Sequence, residues 1–192
     1  MKTVLFVPGF QEDESSRDYQ STITAIQKKG YKVVFVPITW SRTTIKDWVK
    51  TLEVEYKKYD PKNTILAGFS FGAMTVFMSA VKKNPAELWL FSLSPYFAED
   101  IQSIDMNPAW LKHIGKRRVT TFNALNFSEL SQKIACKTLV FYGQQELDKW
   151  PEMNVRALDV QRSIKNNVYV AIPGVGHDVA HKKYISAIVE TI

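Results

Sequence analysis

The sequence predicts an α/β protein: an open, mostly parallel sheet of about six strands with helices on both faces, forming one domain over residues 1–192. Three observations predict this class. Short runs rich in β-branched and aromatic residues recur along the whole chain. They are apolar at successive rather than alternate positions, the pattern of strands covered on both sides. Stretches with helical period separate several of them, so helices acting as right-handed crossovers are the expected connections.

The strand runs lie at 4–7, 32–37, 64–67, 88–93, 138–142 and 168–172. Between the first two, Tyr19, Ile23 and Ile26 mark one helical face, and Gly30 is a fitting C-terminal stop. After the second, Thr44 and Asp47 have capping-box spacing, and Ile45, Trp48, Val49, Leu52, Tyr56 and Tyr59 fall on one stripe that reads as core. A third helix starts just after Ser70 and ends near Asn84-Pro85, where proline forbids continuation. A fourth occupies about 151–165, and the last carries Tyr184, Ile185, Ile188 and Ile192 on its apolar face. One long irregular connection, 96–137, separates the fourth and fifth strands; Pro108-Ala109-Trp110-Leu111 and Phe127-Ser128-Glu129-Leu130 are seeds for helices within it. Its length marks it as a small cap or rim over the carboxyl edge of the sheet.

Composition narrows the function classes. Hydrophobic residues make up 45% and charged residues 23%, as in ordinary globular proteins. No segment approaches the roughly 20 apolar residues that span a bilayer, so no membrane span is expected. The single cysteine, Cys136, rules out an internal disulfide and reads as a small buried apolar residue; a cytoplasmic location is the default. The net charge of +6 is dispersed in small groups, most of them where helices should end, and no nucleic-acid partner is expected. Only Lys116-Arg117-Arg118 is dense enough to hint at acidic partners.

Chemistry concentrates at the strand ends. Gly68-Phe69-Ser70-Phe71-Gly72 matches G-x-S-x-G, and it follows a buried strand and opens a helix, the context that motif requires. The glycines are steric: side chains two residues either side of a sharply turned serine would strike the neighbouring strand or helix. A serine hydroxyl needs a base within hydrogen-bond reach, and the chain has three histidines. His177, in Pro173-Gly174-Val175-Gly176-His177-Asp178, directly follows the last strand and emerges at the same edge as Ser70. His113 lies in the irregular region and His181 on the polar side of the final helix, and both read as ordinary histidines. A carboxylate must then orient the imidazole, and the loop after the fifth strand offers Glu146 and Asp148. In an extended loop residues two apart face the same way, so spacing alone leaves both open.

Taken in order, strand, G-x-S-x-G, helix, then strand-Gly-x-x-acid, then strand-Pro-Gly-x-Gly-His resembles the α/β-hydrolase family over nearly the whole chain. The resemblance implies a three-layer α/β-hydrolase fold with the order nucleophile, acid, histidine. It favours Glu146, three residues after the glycine, with Asp148 as the alternative acid. It implies an oxyanion hole built from the backbone N–H of Phe71 and of Phe10, the latter in the loop Val7-Pro8-Gly9-Phe10; this chain has Pro8 where the family often has histidine. Trp40, Tyr96, Phe97 and Trp150 follow strands at the same edge and are candidates to wall an acyl or alcohol pocket, with core or rim packing an equally good reading for each. No dinucleotide or P-loop fingerprint is present, and no metal and no cofactor are inferred. The expected activity is hydrolysis of a carboxylic ester in a small-molecule acyl substrate, through an acyl-enzyme on Ser70. The alternatives are thioester, lipid or amide hydrolysis by the same groups, or a non-catalytic ligand-binding module; oligomeric state is not encoded in any pattern found.

Overall fold

Apolar residues at successive positions must be hidden on two sides at once, and β1 (Thr3–Val7) shows how the chain does it. Val4 and Phe6 enter one core cluster and Leu5 and Val7 another, all fully buried. A computed structural model of the protein describes residues 1–16, 19–102 and 108–192. After β1 come α1 (Tyr19–Lys28), β2 (Lys32–Phe35), α2 (Ile45–Tyr56), β3 (Thr64–Phe69), α3 (Phe71–Lys83) and β4 (Glu87–Phe91). The long connection holds four short helices, α4 (Ala98–Ile101), α5 (Pro108–Ile114), α6 (Lys116–Phe122) and α7 (Phe127–Ser131); residues 103–107 lie outside those described. The chain finishes with β5 (Lys137–Gly143), α8 (Gln144–Lys149), α9 (Pro151–Ser163), β6 (Asn167–Ile172) and α10 (Lys182–Thr191).

The six strands pair in the order β2-β1-β3-β4-β5-β6, and every pairing is parallel. The expected mostly parallel sheet is therefore wholly parallel. Helices α1 and α10 cover one face, where Tyr19, Ile23, Ile26, Tyr184 and Ile188 are buried against Phe69, Phe91 and Phe141. Helices α2, α3 and α9 cover the other. The register aligns the carboxyl ends: Val7 lies opposite Gly68, Phe69 opposite Phe91, and Gly143 opposite Ile172. Strand order reverses between β1 and β3, and such a switch point opens a crevice at the carboxyl edge. The loops carrying Phe10 and Ser70 flank it.

Local signals set the boundaries. The Asp47 carboxylate accepts from the Thr44 backbone N–H at 2.8 Å and its hydroxyl at 3.0 Å, which fixes the start of α2. Asn84 takes the left-handed conformation that ends α3 before Pro85. The basic run at 116–118 is turned inward at its last residue: Arg118 donates to the carbonyls of Trp40, Thr43 and Ile114, tying α6 to the loop after β2.

The connection 96–137 is anchored by a buried ion pair. Arg156 of α9 meets Asp100 of α4 through two hydrogen bonds of 3.1 and 2.5 Å, and its guanidinium lies over the rings of Phe97 and Phe127 at 4.9 and 4.0 Å. Both partners are buried, so removing one leaves the other's charge with too little compensation. The substitution Asp100→Asn is expected to lower unfolding free energy by about 3 kcal/mol, measured by urea denaturation, with a loss under about 1 kcal/mol contradicting an anchoring role.

Candidate active site

Ser70 sits where the chain turns from β3 into α3 with φ 57° and ψ −119°, a backbone region that L-residues rarely occupy. Such strain is stored only where neighbours over-determine it. The neighbours here are backbone: a Cβ on Gly72 would lie 2.3 Å from the carbonyl oxygens of Val7 and Pro8, and one on Gly68 would lie 2.4 Å from the carbonyl of Gly72. The Ser70 N–H is held by the Phe91 carbonyl at 2.9 Å, and its own carbonyl accepts from Met74 at 3.2 Å, which fixes the turn at both ends.

His177 follows β6 in a loop whose flanking residues Val175 and Val179 are buried in the core. Its ring lies 4.6 Å from that of Phe69 and 5.9 Å from that of Trp150. The Nδ1 of His177 lies 2.5 Å from Oε2 of Glu146. That carboxylate is 1% exposed, and its second oxygen accepts from the Ser92 hydroxyl at 2.6 Å and the Gly143 N–H at 2.7 Å. A carboxylate acceptor fixes the imidazole tautomer with its proton on Nδ1 and turns Nε2 to the opposite side of the ring.

The loop carrying Glu146 approaches the histidine loop closely. A Cβ on Gly143 would lie 2.4 Å from the carbonyl oxygens of Val175 and Gly176, and Gln145 N–H donates to Val175 at 2.9 Å. The expectation of an extended segment here is corrected: residues 144–149 form α8. A helix turns about 100° per residue, so positions two apart point away from each other instead of sharing a side. Accordingly Glu146 is buried against His177, whereas Asp148 is exposed and accepts from the Gln144 side chain at 2.8 Å.

Ser70 and His177 line one cavity of about 310 Å³, together with Ser94, Tyr96, Trp110, Trp150 and Glu152. Both also border a second, of about 260 Å³, walled by Gly9, Phe10, Phe71 and His113. The Phe10 loop is braced from behind. Gly9 N–H donates to the Tyr19 hydroxyl at 2.9 Å, that hydroxyl bonds Glu12, and Trp40 Nε1 donates to the Glu12 carbonyl at 2.9 Å.

No protein-family model and no curated protein matches this sequence. Solved structures do match. Est1E from Butyrivibrio proteoclasticus is 17% identical, covering 98% of this chain and 84% of that chain at a TM-score of 0.76. A bromoperoxidase from Bacillus anthracis is 15% identical, with 98% and 91% covered and a TM-score of 0.76. The carboxylesterase CesB from Bacillus subtilis is 12% identical, with 99% and 82% covered and a TM-score of 0.67. The chain has the α/β-hydrolase fold.

Within the α/β-hydrolase fold, the sequence-derived candidates separate into two groups. Ser70, His177, Glu146, Phe10, Phe71, Tyr96 and Trp150 gather at the carboxyl edge. Trp40 and Phe97 do not line either cavity. Trp40 is buried against Phe10 and Trp48, at ring separations of 5.6 and 4.8 Å. Phe97 is fully buried between Phe77 and Phe127, with ring separations of 5.5 and 5.1 Å. His113, read as an ordinary histidine, lies 5.5 Å from the Phe10 ring on the wall of the second cavity. His181 caps α10, accepting from Lys183 N–H at 3.2 Å.

Two serines at the site escaped the sequence reading. Ser92 follows β4 at φ 50°, and besides Glu146 its hydroxyl lies 3.1 Å from that of Tyr184. The Ser94 hydroxyl, 3% exposed, lies 3.1 Å from that of Ser70. In the sequence Ser92 falls inside the strand run 88–93 and Ser94 directly after it, and neither position marks a role. Among the described residues no cluster of three or more His, Cys, Asp or Glu is placed to hold a metal ion, and no helix is long and apolar enough to cross a membrane. Burial pushes the Cys136 thiol up to about 11, leaving little thiolate at neutral pH.

The glycine contacts give a paired test. Gly72→Ala is expected to cost about 3 kcal/mol or more, because the obstacle is backbone that cannot move aside. At Gly176 the nearest atom to an added Cβ is 3.9 Å away, on the Gln145 side chain, so Gly176→Ala should cost less than about 1 kcal/mol. Urea unfolding of the two variants checks the contrast, and equal losses would contradict it.

Proposed function

We propose that the protein is a serine hydrolase that cleaves a carboxylic ester through an acyl-enzyme on Ser70. The observation that carries this reading is the juxtaposition of Glu146 with His177 Nδ1 at 2.5 Å, in a ring that lines the same cavity as the strained Ser70. A buried carboxylate on Nδ1 has a definite chemical use. It directs the basic lone pair to Nε2 and stabilises the imidazolium formed when that nitrogen takes a proton.

The reaction then runs in two halves. Ser70 Oγ attacks the ester carbonyl carbon while His177 Nε2 accepts the hydroxyl proton, and the carbonyl π electrons move onto oxygen. The backbone N–H groups of Phe71, at the start of α3, and of Phe10 stabilise that oxyanion; the positive end of the helix dipole adds to the first. Collapse breaks the bond to the alcohol, which leaves with the proton from His177. Water activated by the same nitrogen attacks the acyl-enzyme, and Ser70 is regenerated with its proton. No metal or cofactor enters this scheme.

Several features support an ester as the substrate. Solved structures with this fold include a carboxylesterase that matches over 99% of this chain. The two cavities that meet at Ser70 give separate room for an acyl group and an alcohol, and their volumes, about 310 and 260 Å³, suit small groups. In this reading the connection 96–137 is the rim that supplies Tyr96 and Trp110 to the wall.

Turnover of chromogenic esters of graded acyl length tests the proposal. Wild-type protein is expected to hydrolyse short-chain esters, and Ser70→Ala to abolish the activity. Glu146→Gln should lower kcat by about three to four orders of magnitude, while Asp148→Asn changes it less than about threefold. Undiminished hydrolysis by Ser70→Ala, or a larger loss in the Asp148 variant than in the Glu146 variant, would overturn the assignment.

A further inference from the structure

The larger cavity contains one feature that ester chemistry leaves unused. Its wall includes the rings of Tyr96, Trp110 and Trp150, the Ser70 and Ser94 hydroxyls, and one carboxyl side chain, that of Glu152. Glu152 lies in the first turn of α9 and is half-buried. Among the described residues no hydrogen bond or ion pair reaches its carboxylate, although the chain carries a net charge of +6. Acids in the first turn favour helix starts, and α9 already has Pro151 there for its geometry. Helix stabilisation alone would be served equally by a carboxylate facing bulk water. It does not account for an unpaired one on the wall of an aromatic cavity next to the nucleophile.

Aromatic faces and a carboxylate share one preference. The ring quadrupole is negative at its face and attracts cations, most strongly for tryptophan. Trp150 already holds a cation in this way, with the Lys149 ammonium 4.7 Å from its ring centroid; Lys149 itself is not part of the cavity wall. Trp110 and Tyr96 are fixed relative to each other, with ring centroids 5.5 Å apart and the indole N–H 3.3 Å from the phenol oxygen. Such a wall disfavours anions and gives uncharged apolar groups no use for Glu152. A small alkylammonium group fills both requirements, and a cavity of about 310 Å³ accommodates one beside the reacting carbonyl.

We propose that this cavity is a subsite for a positively charged, alkylammonium-bearing part of the substrate, held by Glu152 and the rings of Tyr96, Trp110 and Trp150. The inference rests on Ser70 being the reacting group, because only then is the cavity a substrate subsite. It makes Glu152 a specificity residue, and the preferred esters are those with a cationic acyl or alcohol portion.

Binding is measured directly, so that the outcome does not depend on turnover. Choline and its uncharged isostere 3,3-dimethylbutan-1-ol are titrated calorimetrically into the full-length Ser70→Ala protein, with and without Glu152→Gln. Choline is expected to bind about tenfold more tightly than the isostere, and Glu152→Gln to remove most of that difference at an unchanged melting temperature. Equal binding of the two probes, or a preference for choline that survives Glu152→Gln, overturns the subsite. Absence of ester hydrolysis by the wild-type protein would instead overturn the esterase reading, which these titrations leave untouched; hydrolysis of neutral esters without any cation preference would overturn the subsite alone.

Discussion

A carboxylate withdrawn from water is tolerable only when donors are already waiting for it, and Glu146 meets this requirement with groups from three strand ends. Ser92 comes from the end of β4, the Gly143 N–H from the end of β5, and His177 from the loop after β6. Burying such a group without those partners would be far more costly than the hydrogen bonds are favourable. The three loops therefore stand or fall together. Their common register follows from the all-parallel sheet, whose carboxyl ends are level along one edge.

The same edge stores the backbone strain. Ser70 and Ser92 both have positive φ, and each N–H is anchored to the neighbouring strand, to Phe91 at 2.9 Å and to Phe141 at 2.8 Å. Parallel strands let one strand's last carbonyl receive the N–H that has just left the next, so the chain can turn sharply without leaving that donor unpaired. Strain at these two residues amounts to about 1–3 kcal/mol each. It is sustained by the glycine contacts at Gly68 and Gly72 and by the aromatic core beneath, where Phe69 and Phe91 are buried almost completely. The sheet thus acts as the rigid support on which the rim carrying Ser70, Ser92 and Glu146 is mounted.

The sheet and the serine turn were legible in the sequence because each leaves a mark that local chemistry cannot avoid. Runs apolar at consecutive positions and rich in β-branched and aromatic residues fit strands covered on both faces, and they located the six strands to within two residues at either end. The G-x-S-x-G spacing reflects a clash that any side chain at 68 or 72 would suffer. What the sequence left open was decided by orientation. In α8 only Leu147 is apolar, so no helical period shows, and reading the segment as extended put Glu146 and Asp148 on one side. Trp40 and Phe97 were correctly placed beyond strands, but a position beyond a strand does not say which way the ring turns; both turn into the core. Ser92 and Ser94 are isolated small polar residues whose roles depend on partners 54 and 24 positions away, and no spacing rule reaches that far.

Two hydroxyls, those of Ser70 and Ser94, lie 3.1 Å apart in the cavity that His177 also lines, and covalent capture distinguishes them. The decisive measurement is peptide mapping by mass spectrometry after reaction with a fluorophosphonate, on the native protein and on protein unfolded in urea. Modification of Ser70 alone, complete in the native state and absent in the unfolded one, is the predicted result. An unmodified native protein, or a phosphonyl group on Ser94, would contradict the central claim that the rim activates Ser70.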